Sequence, residues 1–314
     1  MQQYANLSIW LAVSLILASL IYYCLASYPG DKSIHQKHST STTQLNPQQS
    51  QDVDCQKQIA VIIPTLRDAA VLAATVERLF MNASNGPMNR TTNVALTISV
   101  IIVDASQDSE CPRCLGHLTS AYSTLHIVPY PGKPSRGSQL NFGAAHAAKL
   151  VPEASILVFL HADTHMPPSW DGSIIGALSS TVQAPVLGCF KLSLPPPLTV
   201  SLRIMLWGAN IRARRLPYGD QCFFMTKPAF KELEGFPAVP IMEDLEMVRR
   251  VSQRGGSIKV LEQAVQTDPR RWKRKGVFWN TVLNQLFIMA WLCGVSHETI
   301  YKWYYGKSSM KRKN

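Results

Sequence analysis

Carboxylates recur in this chain where apolar runs stop. Ile59 to Ile63 leads into Pro64-Thr65-Leu66-Arg67-Asp68, Ile98 to Val103 into Asp104, and Ile156 to Leu160 into His161-Ala162-Asp163. A further acidic pair, Glu243-Asp244, opens a helical pattern carrying Leu245, Val248 and Val251. Carboxylate oxygens suit a hard divalent cation, which takes oxygen ligands and retains several waters. The partial positive charge at a helix N-terminus keeps acids there ionised. Asp163 is therefore a candidate metal ligand, its alternative being a turn cap ahead of Pro167-Pro168. Capping of its own helix is the alternative for Asp244. Anion-binding chemistry is offered by Arg136, which follows Pro134 at a helix start containing Gly137 and Gly143. Small residues admit close backbone approach there, and a helix N-terminus with an arginine favours anions.

The elements that must position these residues follow from hydrophobic periodicity. Ile156-Leu157-Val158-Phe159-Leu160 shows no period-2 alternation, which suits a strand buried on both faces. Strands are expected over 59–63, 97–103, 124–129 and 155–160, alternating with helices over about 68–81, after Asp108, and over 136–150. That order predicts βαβ units and an α/β fold: a mostly parallel central sheet flanked by helices. In such sheets ligands bind in the crevice beyond the strand carboxyl ends, where Asp68, Asp104 and Asp163 would lie. The polar segment Asn82 to Asn93 reads as a loop insertion. Further strands are expected over 186–193 and Gln221 to Met225, and a helix near Pro228.

The 314 residues carry 31 Lys and Arg against 20 Asp and Glu, a formal net charge of +11, with 46% hydrophobic content. A sizeable core is expected and an anionic partner is implied: phosphate groups, an acidic membrane surface or nucleic acid. Leu7 to Tyr28 is almost wholly apolar and uncharged, and about 22 residues at 1.5 Å rise would span a bilayer core of about 30 Å. Residues 7–28 are read as an N-terminal transmembrane helix, with a cleaved signal peptide as the alternative. Lys32 and Lys37 follow the span and none precedes it, which favours a cytosolic domain. Sequons at Asn82-Ala83-Ser84 and Asn89-Arg90-Thr91 would permit a luminal one. Residues 29–57, rich in Ser, Thr, Gln and His, form a flexible stem, 58–269 a catalytic domain, and 270–314 a basic and aromatic C-terminal unit. In that unit Asn280, Thr281, Asn284 and Gln285 share one arc of an amphipathic helix pattern beside the cluster Arg270 to Lys275. Lying on a membrane and docking on the core are both open to it. Seven scattered cysteines do not form a disulfide framework, and Cys111 with Cys114 is a lone CxxC. The basic residues cluster beside an apolar helix with no reader motif, so nucleic acid is not expected as a partner.

Taken in order, VIIPTLRDA, IIVDASQD, SRGSQLNFGAA, FLHADTHMP, GDQCFF, MEDLEM and RRW resemble the family 2 glycosyltransferases with an A-type, nucleotide-binding fold. The resemblance runs from about Ile59 to Tyr304. It implies transfer of a sugar from a nucleotide-sugar donor to an acceptor hydroxyl, usually with inversion and a divalent metal, Mg²⁺ or Mn²⁺. Donor contacts are implied for Pro64, Thr65, Asp68, Asp104, Arg136, Gln139, Asn141, His161, Ala162 and Asp163. Arg67 departs from the family, standing where a polar amide is usual. His161 replaces the first acid of the metal-binding Asp-x-Asp segment, which leaves Asp163 as the implied ligand and the role of His161 open. Asp244 is the implied base, with Glu243 orienting it or accepting from the acceptor. Gly219, Asp220 and Gln221 are implied on the acceptor side, with Arg270, Arg271 and Trp272 clamping product or diphosphate.

The expected protein is thus a membrane-anchored, non-processive glycosyltransferase whose acceptor is unidentified, a lipid-linked one being among the candidates. A nucleotidyltransferase releasing pyrophosphate and a non-catalytic membrane-recruiting module are the alternatives.

Overall fold

A computed structural model describes residues 58–84, 97–106, 108–179, 184–270, 272 and 276–306. The expected anchor and stem, the sequon at Asn89, Arg271 and the Lys-Arg cluster after Gly306 lie outside the described residues. In chain order the elements are β1 (Gln58–Thr65), α1 (Ala69–Met81), β2 (Thr97–Asp104), α2 (Glu110–Ala121), β3 (Leu125–Pro129), α3 (Arg136–Leu150), β4 (Ala154–Phe159), β5 (Thr164–His165) and α4 (Trp170–Leu178). They continue with β6 (Leu187–Ser193), α5 (Val200–Arg212), a 3₁₀ turn (Gly219–Gln221), β7 (Phe223–Thr226), α6 (Lys227–Glu232), α7 (Glu243–Gln253), β8 (Ile258–Thr267), α8 (Val277–Leu292) and α9 (His297–Tyr305).

One eight-stranded sheet runs in the order β3-β2-β1-β4-β7-β6-β8-β5. Its first four strands pair in parallel, in register from Val61 opposite Val100 to Thr65 opposite Asp104. The far half keeps the expected mostly parallel sheet, with β6 and β8 paired in parallel, but among the described strands it adds two that run the other way, β7 and β5. β7 is antiparallel to both β4 and β6, and β5 is antiparallel to β8, so the sheet is mixed. The apolar run Phe223-Phe224-Met225 fits either strand direction, so its sequence carries no sign of it. β8 mixes exposed, half-buried and buried residues without strict alternation near the sheet margin, and the two-residue β5 is shorter than any periodicity signal.

The apolar runs are continuous because both sheet faces are covered. Ile59, Val61 and Ile63 of β1 pack with α1, α2 and α4 on one side. Ala60 and Ile62 pack with α3, α7 and α8 on the other. Helix α3 crosses the sheet closely: a Cβ at Gly143 would lie 2.4 Å from Ile62 Cγ2 and 2.9 Å from Val103 Cγ2. Glycine there sets how near the start of α3 comes to the ends of β1 and β2.

Among the described residues no helix is long and apolar enough to cross a membrane. Helix α8 docks on the core through Ile288 and Trp291, with Asn280 buried as well. The expected polar arc thus turns inward rather than to water, while Trp279 is 64% exposed. The Asn82 amide donates to the Met166 carbonyl at 2.6 Å, and the Ser84 hydroxyl bonds Asp171 at 2.7 Å, so both polar groups of that sequon are engaged.

Candidate active site

Three adjacent parallel strands, β2, β1 and β4, end on one edge, and the chain reverses its lateral direction between β1 and β4. That switch point is where an open α/β sheet forms a crevice. Thr65 closes β1, with its hydroxyl buried and lacking a hydrogen-bond partner among the described residues. An orphaned buried polar atom at a strand end marks a place for a ligand contact. Pro64 is half-buried beside it. Asp104 closes β2, is buried, and accepts from the Ser106 backbone N–H at 2.9 Å. Arg67, at φ 59°, donates its backbone N–H to the Ser106 hydroxyl at 2.8 Å, which ties the two strand-end turns together. The departure at Arg67 therefore uses backbone, and its side chain is exposed.

Asp68 and Asp163 share one field. Burial raises the Asp68 carboxyl above its ordinary range, the charge of Asp163 adds to this, and Arg270 and Arg136 oppose it. Asp163, 34% exposed, lies 3.5 Å from a guanidinium nitrogen of Arg270, which Asp268 holds at 2.6 Å through Nε. Pairing of β5 with β8 brings these together, since Thr164 sits opposite Thr267. Ala162 is buried, and its carbonyl accepts from the Thr75 hydroxyl at 2.8 Å. Trp272 packs partly buried against the adjoining core.

No group of three or more His, Cys, Asp or Glu among the described residues is placed to hold a metal ion alone. A magnesium-type site needs less: one or two carboxylates, the rest of its shell coming from waters and substrate phosphates. The Asp163 carboxylate beside a like-charged Asp68 fits that donor set, because a cation there relieves their repulsion. Cys111 does not contribute to such chemistry. Burial and the neighbouring Asp104 push its thiol up to about 12, so it stays protonated at neutral pH.

The second half of the site is built on α7. Glu243 is 4% exposed, and its Oε1 accepts from Arg136 at 3.2 Å. Burial raises the Glu243 carboxyl above its ordinary value, with Arg136 opposing and Asp244 adding. Asp244 is held by two backbone donors: Gly219 N–H to Oδ2 and Leu245 N–H to Oδ1, both at 2.8 Å. A Cβ at Gly219 would lie 3.2 Å from His161 Nε2 and 3.4 Å from Asp244 Oδ2. Glycine there lets the turn pass between the end of β4 and α7, placing His161 near Asp244. The enclosed space bounded by Arg136, His161, Gly219, Glu243 and Asp244 is only about 10 Å³, so a ligand must lie outside it, along the strand ends.

Three residues expected to touch ligands have their polar groups occupied elsewhere. The buried Gln139 amide donates to the Thr65 and Val103 carbonyls, both at 3.0 Å, clamping the ends of β1 and β2. Asn141 exchanges bonds with the Phe236 backbone at 2.7 and 2.8 Å. Gln221 is fully buried between the Tyr218 N–H at 3.2 Å and the Phe190 carbonyl at 3.0 Å. All three position the turns that carry other site residues. Asp220 stays in the short turn between Gly219 and Gln221.

Two supporting residues were not among those expected at the site. Arg212 lies 3.2 Å from the centroid of the Tyr218 ring, a cation–π contact that backs the Gly219 turn. Glu246, one turn along α7 from Glu243, joins three helices. It accepts from Trp291 Nε1 at 2.7 Å and lies 2.9 Å from Arg249 and 3.2 Å from His297. The arginine-rich composition of 203–215 and the i, i+3 spacing of Glu246 and Arg249 are the signals that could have found them.

No protein-family model and no curated protein matches the sequence. Solved structures do resemble the fold. PcManGT, a mannosyltransferase from Pyrobaculum calidifontis in complex with GDP-Man and Mn²⁺, aligns at a TM-score of 0.53 and 15% identity, covering 89% of this chain and 75% of that one. GalNAc-T7 with UDP, GalNAc and Mn²⁺ aligns at 0.50 and 15% identity, over 69% of this chain and 44% of that one. The chain has the A-type glycosyltransferase fold.

Proposed function

We propose that this protein is a metal-assisted glycosyltransferase that moves a sugar from a nucleotide-sugar donor to an acceptor hydroxyl, with inversion and without processive chain growth. The observation that carries this reading is the placement of Asp244. It is fixed by two backbone N–H groups beside His161, at the edge where Thr65, Asp104 and Asp163 also end. The fold shared with PcManGT and GalNAc-T7, both solved with nucleotide ligands and Mn²⁺, supports it.

The donor lies along the strand ends, its base and ribose against Thr65, Asp68 and Asp104 and its diphosphate toward Asp163 and Arg270. Mg²⁺ or Mn²⁺ bound at Asp163 would neutralise diphosphate charge. Asp244 accepts the proton of the acceptor hydroxyl while that oxygen bonds to the anomeric carbon and the bond to the diphosphate oxygen breaks. The two donors on Asp244 leave its remaining lone pairs for that proton, and they hold the carboxylate still. Glu243 keeps Arg136 facing the site, where its guanidinium, 43% exposed on the side chain, adds positive charge near the leaving group. Residues 7–28 anchor the chain in a membrane, and 29–57 give the domain reach.

Incubating the full chain with a panel of nucleotide sugars and Mg²⁺ or Mn²⁺ should release nucleoside diphosphate in step with sugar transfer. Release of pyrophosphate instead would assign a nucleotidyltransferase. No turnover and no donor binding across the panel would remove the enzyme reading.

A further inference from the structure

A cavity of about 390 Å³ lies between the turn after α5, the second half of α7 and the end of α8. It shares no lining residue with the strand-end site. Arg214, Arg215 and Arg249 line it, and among the described residues no carboxylate does. Arg249 gives one nitrogen to Glu246 at 2.9 Å and keeps a buried Nε without a hydrogen-bond partner among the described residues. The opposing wall is apolar, formed by Val248, Trp291 and Leu292. The Trp291 ring nitrogen is already bonded to Glu246, so the ring is fixed and offers only its apolar surface to the cavity. Planar guanidinium forks match phosphate oxygens, and an apolar wall beside them calls for a ligand whose phosphate carries a hydrocarbon substituent.

The surroundings identify the source of that substituent. Helices α5 and α8, which touch each other, both end at the cavity. The outward face of α5 shows Val200, Arg203, Trp207 and Ile211, at helical spacing, with Trp207 60% exposed. The outward face of α8 shows Trp279, Leu283 and Leu286, while its Asn280 is buried. Exposed tryptophan and aliphatic side chains with interleaved arginine, over polar groups turned inward, suit the headgroup boundary of a bilayer rather than water.

We propose that this cavity seats the phosphate headgroup of an anionic membrane lipid, with the outward faces of α5 and α8 lying against the bilayer around it. The site is independent of sugar transfer, and binding alone tests it. The full chain in dodecyl maltoside is titrated by calorimetry with dihexanoyl phosphatidic acid, dihexanoyl phosphatidylcholine and inorganic phosphate. Saturable binding of the phosphatidic acid is expected, about tenfold weaker in the double variant Arg214→Gln/Arg215→Gln and unchanged in Arg203→Gln, which lies outside the cavity. All three positions are exposed, and thermal midpoints should match the parent. Equal affinity in the double variant would overturn the site. Equal binding of phosphatidylcholine would overturn its selectivity for anionic headgroups. Inorganic phosphate binding as tightly as the lipid would show a free-anion site, and loss in Arg203→Gln would reduce the effect to general surface charge; either result rejects the proposal.

Discussion

Asp244 and Gly219 form the smallest unit on which the proposed chemistry depends. Replacing Asp244 by Asn keeps the Oδ that accepts from Gly219 or from Leu245 but removes the proton acceptor. Turnover should fall about 10²- to 10⁴-fold while donor affinity stays near that of the parent. Steady-state kinetics paired with direct donor titration checks this, and unchanged turnover would reject Asp244 as the base. Gly219→Ala probes the same unit by geometry. The added methyl crowds His161 Nε2 at 3.2 Å and only touches Asp244 Oδ2 at 3.4 Å, so the imidazole, or the turn whose N–H holds Asp244, must yield by a few tenths of an ångström. Since a displacement of about 1 Å in a reacting group costs about 10²-fold, the smaller shift should lower kcat about tenfold and leave KM for donor little changed. A change confined to KM would mean that the turn holds the donor and not the base.

At the scale of elements, α3 is what brings strand ends and α7 into one site. Its Gln139 spans the carbonyls of two neighbouring strands, a role that only a long side chain with two donors can fill. Gln139→Met preserves length but removes both donated hydrogen bonds, leaving the Thr65 carbonyl with its bond from the Ala105 N–H, so unfolding stability should drop by about 1–3 kcal/mol. A matched urea denaturation of variant and parent would show the loss, and equal midpoints would mean that the clamp carries no stability. The small residues of α3 suggest, in the sequence, close approach of an anion to the helix start, whereas in the fold Gly143 makes room for Ile62 and Val103 of the sheet. The same pattern could not separate Gln139 and Asn141 from ligand-binding residues. Motif position places a residue near a site, whereas three-dimensional neighbours decide where its hydrogen bonds go. Strand ends were legible because continuous apolar runs must stop where burial stops. β8 and the antiparallel course of β7 were not, since partner choice in a sheet is set by the rest of the fold and leaves no local period. The inward turn of Asn280 on α8 has the same origin: tertiary packing chose which face of a nearly uniformly apolar helix to cover.

For the molecule as a whole, the site's charge arrangement has a stability consequence that is independent of activity. Glu243 is buried at the junction of α3 and α7, and its folded carboxyl titrates above the ordinary value near 4.5. Between 4.5 and the raised folded value, the native chain therefore holds a proton that the unfolded chain has released. Stability rises with pH only where the unfolded state binds more protons, so this group makes stability fall as pH increases through that window and level off above it. The contribution is complete below the unfolded value and gone once the folded group has ionised. Glu243→Gln removes the titration and leaves Arg136 without its partner, an offset that does not depend on pH because the guanidinium stays charged throughout. Thermal midpoints of parent and variant, taken at intervals from pH 4.5 upward, should thus converge or cross as pH rises and then run parallel. If the difference stays constant across the range, or grows in the parent's favour, then the Arg136 pairing outweighs burial and Glu243 is an ionised half of a stabilising ion pair at every pH tested.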